Sequence, residues 1–228
     1  MQLSIYRIFP GIVLSFIIAY TGIYLSRIIG NEVLNLSKSP ISPIMLSIII
    51  GLLAGNIIKI HSIFSEGIQF SLKFILRLGI ICLGIRLGLL DILKVGVTGI
   101  PLIIVCIIFS IVLVNYFCKF LKVSSKIGSL IAVGTSICGA SAIVATSPAI
   151  NADKEEVTYA IANITIFGIL AMFLYPFLAH YVFDGDELSI GLFLGTSIHE
   201  TAQVAGAGLI YSEQYNSPNT MDIATVTK

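Results

Sequence analysis

The chain has 228 residues, 57% of them hydrophobic and 11% charged, with a formal net charge of +1 and a mean hydropathy of +1.01. So few charges leave a water-facing globule uncoated, which excludes a soluble fold and predicts an all-α, polytopic transmembrane helix bundle whose main partner is the lipid bilayer. The 13 basic residues sit mostly between apolar stretches rather than along one face, which excludes nucleic acid as a partner.

A hydrocarbon core about 30 Å thick takes roughly 20 apolar residues per helix. Seven such runs follow in chain order, at about residues 8–29, 42–60, 67–90, 96–118, 127–150, 157–180 and 188–210, forming one transmembrane domain with the start of an eighth span after them. The first run follows Arg7 and is too long for a signal-peptide core, so it reads as a retained span. In the second, Gly51 and Gly55 form a G-x-x-x-G that lets helix backbones approach closely. Lys73, Arg77 and Arg86 interrupt the third, and Gly79, Gly84 and Gly88 weaken it, which predicts a bent or partly inserted helix. Arg77 is its best functional candidate, while Lys73 divides evenly between snorkelling to the interface and a functional role.

Lys119, Lys122 and Lys126 mark one loop as cytoplasmic, whereas Arg27 and Lys38 pull on a loop that should then be outside, and a cytoplasmic N-terminus is favoured. Cys82, Cys106, Cys118 and Cys138 show no metal-ligand spacing, so they read as small buried hydrophobes and neither a metal nor a cofactor is expected. His61 and His180 flank runs and are read as interfacial.

Two runs depart from uniform apolarity, at Gly134-Thr-Ser-Ile-Cys-Gly-Ala-Ser-Ala142 and Gly195-Thr-Ser-Ile-His-Glu-Thr-Ala-Gln203, and both segments open on Gly-Thr-Ser-Ile. Glycine tolerates non-helical dihedrals and hydroxyls satisfy freed backbone groups, so such segments can unwind at membrane depth and hold an ion or substrate. This nominates Gly134, Thr135, Ser136, Cys138, Gly139 and Ser141 in the first segment and Thr196, Ser197, His199, Glu200 and Gln203 in the second. Tight helix packing is the competing account of the first segment. In the second, adjacent ionisable His199 and Glu200 lie about a dozen residues into an apolar run, where each charge costs at least about 2.5 kcal/mol. On a continuous helix, His199, Gln203, Thr196 and Glu200 would share one polar arc. Position 203 is Gln rather than the second His of H-E-x-x-H, which disfavours a zinc protease. Asn163, on a face with Tyr159, is equally a packing and a site-lining residue.

Leu76-Arg-Leu-Gly-Ile-Ile81, Ser136-Ile-Cys-Gly-Ala140, Pro148, Phe167-Gly-Ile-Leu-Ala171, Tyr175-Pro176 and His199-Glu-Thr-Ala-Gln-Val204 occur in this order, and as an ordered set they resemble the YeiH family over most of the chain. That family comprises bacterial and archaeal inner-membrane proteins often labelled sulfate exporters, grouped with the cation:proton antiporter and bile-acid transporter superfamily. The resemblance implies a multi-pass protein of the cell membrane with discontinuous helices and an inverted-repeat, transporter-like core. Against that family the chain looks C-terminally truncated by roughly a third. With one full span between them, the two Gly-Thr-Ser-Ile segments should run parallel and not form the inverted pair, unless one is re-entrant.

The leading expectation is a secondary transporter, not an enzyme, for a small sulfate-like or sulfonate-like anion, coupled to a proton or cation through His199 and Glu200, with a homo-oligomer an open possibility. Arg77 and the seam backbone would attract the anion, and the histidine suits the proton because its reference pKa lies near 6.5. The alternatives are an intramembrane enzyme using the His–Glu pair as acid and base, and a non-transporting membrane subunit whose polar seams bind partner helices.

Overall fold

The computed structural model describes residues 5–29, 42–57, 62–86 and 89–228, and among these the chain is helical without strands. Lys38, His61 and Gly88 lie outside the described residues. Three described helices are long and apolar enough to cross a bilayer, Tyr6–Arg27, Val95–Phe120 and Lys154–Val182, and Pro43–Asn56 is a shorter apolar one. The chain divides into two compact units, Met1–Arg86 with Glu213–Asn216, and Leu87–Ser212 with Ser217–Lys228.

The first unit holds α1 (Ile5–Arg27), α2 (Pro43–Ile57), α3 (Ser65–Phe70) and α4 (Leu76–Arg86). The close approaches here belong to α1, because a methyl on Gly11 would stand 2.6 Å from the Gly67 Cα and one on Gly22 would strike Ser47. The G-x-x-x-G of α2 does not do this: Gly51 meets only Ile18 at 4.0 Å and Gly55 meets nothing within that range. Among the described residues no backbone packs against this spacing. Between α3 and α4 the helix widens to a π turn over Ser71–Ile75. Such widening re-aims the helix without breaking it. Ser42 Oγ donates to Glu213 at 2.7 Å, which ties the short Glu213–Asn216 segment to this unit.

The second unit holds α5 (Leu89–Phe120), α6 (Ser125–Ser136), α7 (Ala140–Thr146), α8 (Lys154–Val182), α9 (Glu187–Ser197), α10 (Thr201–Tyr215) and α11 (Pro218–Thr227). With 29 residues, α8 is, like α5, long and apolar enough to cross a bilayer, about 43 Å long at 1.5 Å per residue. A capping box between Asp153 and Glu156 starts it, satisfying backbone donors that the first turn leaves open.

The run at 127–150, expected to span, folds back on itself. Lys126 Nζ, at the start of α6, donates to the Asn151 carbonyl at 2.7 Å, and Ser124 Oγ reaches Glu156 at 3.3 Å. Both ends of α6–α7 therefore lie at the N-terminal end of α8. Between the arms, Leu130 and Ile143 pack with Ala160 and Ile164 of α8 in a buried cluster.

The run at 188–210 also reverses. Tyr211 of α10 meets His180 Nδ1 at 3.0 Å, close to the C-terminal end of α8, and Ser217 Oγ donates to Glu187 at the start of α9 at 2.7 Å. This second hairpin thus enters from the C-terminal end of α8. His180, read as interfacial, is bonded there to Tyr211. α11 then runs parallel to α9, with Gly191 opposite Ile223 and Gly195 opposite Ala224 and Thr227. The arms α9 and α10 each cover only about 16–22 Å at 1.5 Å per residue, roughly half to three quarters of a hydrocarbon core. Apolar length alone reads a crossing and a returning hairpin alike, because both arms are apolar.

Candidate functional site

The hairpin tips meet. After Ser136 the α6 helix ends at Ile137, and Gly139 adopts φ 64°, ψ −127°, a conformation that only glycine enters readily. A methyl built on Gly139 would lie 3.5 Å from the His199 carbonyl oxygen and 3.6 Å from the Glu200 Cβ. The second tip is Ile198–Glu200, where α9 ends on extended Ile198 before α10 begins at Thr201. Ile164 of α8 underlies the crossing, with Cγ2 3.5 Å from the Gly139 position and Cγ1 3.2 Å from that of Gly134.

The Gly-Thr-Ser-Ile segments occupy equivalent places in the two hairpins. In each, the isoleucine is the first residue past the inbound arm, and the serine hydroxyl donates to the carbonyl four residues back, Ser136 to Ala132 and Ser197 to Phe193. Each glycine admits a neighbour, Ile143 and Ile164 at Gly134, Ala224 and Thr227 at Gly195. Because both segments are re-entrant, the single crossing between them is α8, and the two arms enter in opposite senses. The expectation of parallel segments is corrected accordingly.

Of the nominated residues, Gly134, Thr135, Ser136, Cys138, Gly139, Ser141, Thr196, Ser197, His199 and Glu200 all lie at or beside the tips. The continuous polar arc expected over 196–203 does not form, because the helix stops at Ser197 and restarts at Thr201. His199 instead rests against the Thr135 backbone, within the field of Lys228. Cys138 Sγ and Ser141 Oγ are 2.9 Å apart. Gln203 sits deeper on α10, 6% exposed, its amide packed on Gly168 with Nε2 donating to the Thr165 carbonyl at 3.4 Å and Oε1 buried with no hydrogen-bond partner among the described residues. Half-buried Asn163 precedes Ile164 on α8. Arg77 lies in the first unit, exposed on α4.

Lys228 was missed by sequence reasoning. Its Nζ donates to the Ile198 carbonyl at 2.8 Å, so α11 delivers a cation to the second tip. The signal available was the small-residue stripe Thr220, Ala224 and Thr227, which matches Gly191 and Gly195 and predicts that α11 packs backbone-close along α9. Away from the membrane, Asp186 caps α9 by accepting from the Ser189 N–H at 2.9 Å, and hydrogen bonds from the Ser189 side chain and backbone hold its carboxyl below the ordinary value.

An all-helical membrane protein in which two re-entrant hairpins enter from opposite ends of one long helix and bring their tips together beside His199 and Glu200 is the class defined by these elements. Residues 10–228 match the family described as Conserved hypothetical protein 698, and the chain belongs to that family. It is 36% identical over 219 residues to a UPF0324 membrane protein of Streptococcus agalactiae serotype V, covering 96% of this chain and 62% of the relative. It is 32% identical to one of Fusobacterium nucleatum, at 96% and 60% coverage, and 33% identical to one of Yersinia pestis, at 91% and 60%. The chain spans about three fifths of the length of these relatives. No solved structure matches it significantly.

Proposed function

We propose that the protein is a secondary transporter, not an enzyme, that moves a small anion of the sulfate or sulfonate kind across the bacterial cell membrane through the meeting point of the two tips. His199 and Glu200 carry the coupling proton in this reading. The observation that carries it is the approach of the two opposed hairpin tips, so close that a methyl added to Gly139 would meet the His199 carbonyl oxygen and the Glu200 Cβ. Discontinuous helices that meet near mid-membrane expose backbone groups to an ion, and opposed entry gives each side of the membrane its own hairpin to open. The same arrangement agrees with a relationship to the cation:proton antiporter and bile-acid transporter superfamily. Ionisable groups at this depth are costly to keep, which favours a working role for the pair over mere packing.

The test is flux of radiolabelled sulfate into proteoliposomes, with and without a pH gradient. The parent chain should show gradient-dependent flux, and His199→Ala and Glu200→Gln should lose the gradient dependence. Variants that respond to pH as the parent does would end the coupling assignment. No flux above empty vesicles, for sulfate or for small sulfonates, would end the transport reading.

A further inference from the structure

Beside the crossing tips, between α5, α6, α9 and α11, lies a half-open cavity of about 120 Å³. One water takes roughly 10–15 Å³ on this measure, so there is room for several waters or one small ligand. Its polar lining includes Ser110, Thr135, Ser136, Thr196 and Lys228, and Ile103 and Ile107 supply an apolar wall.

The lining sorts by what each group has left to offer. Ser136 and Thr196 donate their hydroxyl protons to Ala132 and Leu192 at 2.6 and 2.8 Å, so they turn lone pairs outward. Thr135 and Ser110 spend no hydroxyl proton on any described residue. Lys228 uses one of its three ammonium protons on the Ile198 carbonyl, and two remain. Among the described residues no carboxylate stands within ion-pair distance of Lys228. A half-buried ammonium with two protons unspent, facing a cavity with hydroxyl donors beside it, favours an anion there.

We propose that this cavity is an anion subsite in which Lys228, Thr135 and Ser110, from three different helices, hold one small oxyanion beside the hairpin tips. The assignment deepens the transport reading and rests on it for the ligand's class. The apolar wall limits water around the ion and strengthens each charge-assisted contact. Because Lys228 also grips Ile198, an anion on its ammonium would act directly on the tip that bears His199.

Equilibrium binding of inorganic sulfate to the purified chain in detergent, at ionic strength matched with sodium chloride, tests the site apart from flux. The parent should bind saturably, Lys228→Met should weaken binding at least tenfold while keeping the side-chain length, and Lys228→Arg should restore most of it. Should Lys228→Met fail to fold, Cys106→Phe serves instead: it narrows the cavity, leaves the lysine in place, and should weaken binding likewise. Parent-like binding in Lys228→Met or Cys106→Phe, or no saturable binding by the parent, would overturn the proposal. Loss of binding in these variants, in a parent that binds but shows no flux, would uphold the site and remove the transport reading. Flux that persists unchanged in Lys228→Met would uphold transport and remove the site.

Discussion

Gly139 and Lys228 show two kinds of legibility at the scale of the residue. A Gly-rich, hydroxyl-rich stretch inside an apolar run announces a helix break, because glycine alone enters certain dihedrals freely, and Gly139 at φ 64° is such a position. Space is not its constraint, since the nearest atoms to an added methyl lie 3.5 Å away, in ordinary contact. Gly139→Ala should therefore lower stability by the cost of a forbidden backbone conformation, about 1–3 kcal/mol, seen as an earlier thermal unfolding transition in detergent; an unchanged transition would mean that the tip adopts another conformation. Lys228 was illegible for the converse reason. Its neighbours mark only where α11 packs, and its own importance arises from a contact with Ile198, 30 positions earlier in the chain. His199 and Glu200 stood out by their cost in an apolar run, but their geometry did not, because the 100° wheel presumes a helix that stops before them.

Glycines at the scale of the element look alike in sequence and differ sharply in use. The spacing Gly51–Gly55 and the spacing Gly191–Gly195 both read G-x-x-x-G, yet an added methyl finds nothing within 4 Å at Gly55 and lies 2.7 Å from the Ala224 carbonyl at Gly195. What decides between them is whether a partner backbone arrives, and for Gly195 that partner, α11, lies beyond the last run that hydropathy resolves. Gly195→Ala should push α9 from α11 and cost about 1–3 kcal/mol by overpacking, while Gly55→Ala should be neutral or stabilising by up to about 1 kcal/mol through helix propensity. Thermal unfolding of both variants in one detergent checks the contrast. Equal transitions would mean that α9 and α11 are not packed backbone to backbone. Apolar length likewise located every run in the second unit but not which of them return, since reversal is decided by one or two residues at each tip.

The hairpins change the count of charges on each face at the scale of the whole second unit. If 127–150 crossed, the loops on either side of it would face opposite compartments, and the lysines would divide between them. Folded back, Lys122 and Lys126 share a face with Lys154, and Lys126 bonds the loop carbonyl of Asn151 directly. The opposite end of α8 carries Asp184, Asp186 and Glu187 and no Lys or Arg between Phe183 and Asn219. The positive-inside rule, ambiguous when seven crossings are assumed, then assigns the lysine face to the cytoplasm. With the four native cysteines replaced by alanine, single cysteines at the exposed positions Ser125 and Asn151 should react with an impermeant maleimide only from the cytoplasmic side, and those at Asp184 and Asn219 only from the other. Labelling of Ser125→Cys and Asn151→Cys from opposite sides would restore a complete crossing at 127–150, and with it the parallel arrangement of the two Gly-Thr-Ser-Ile segments.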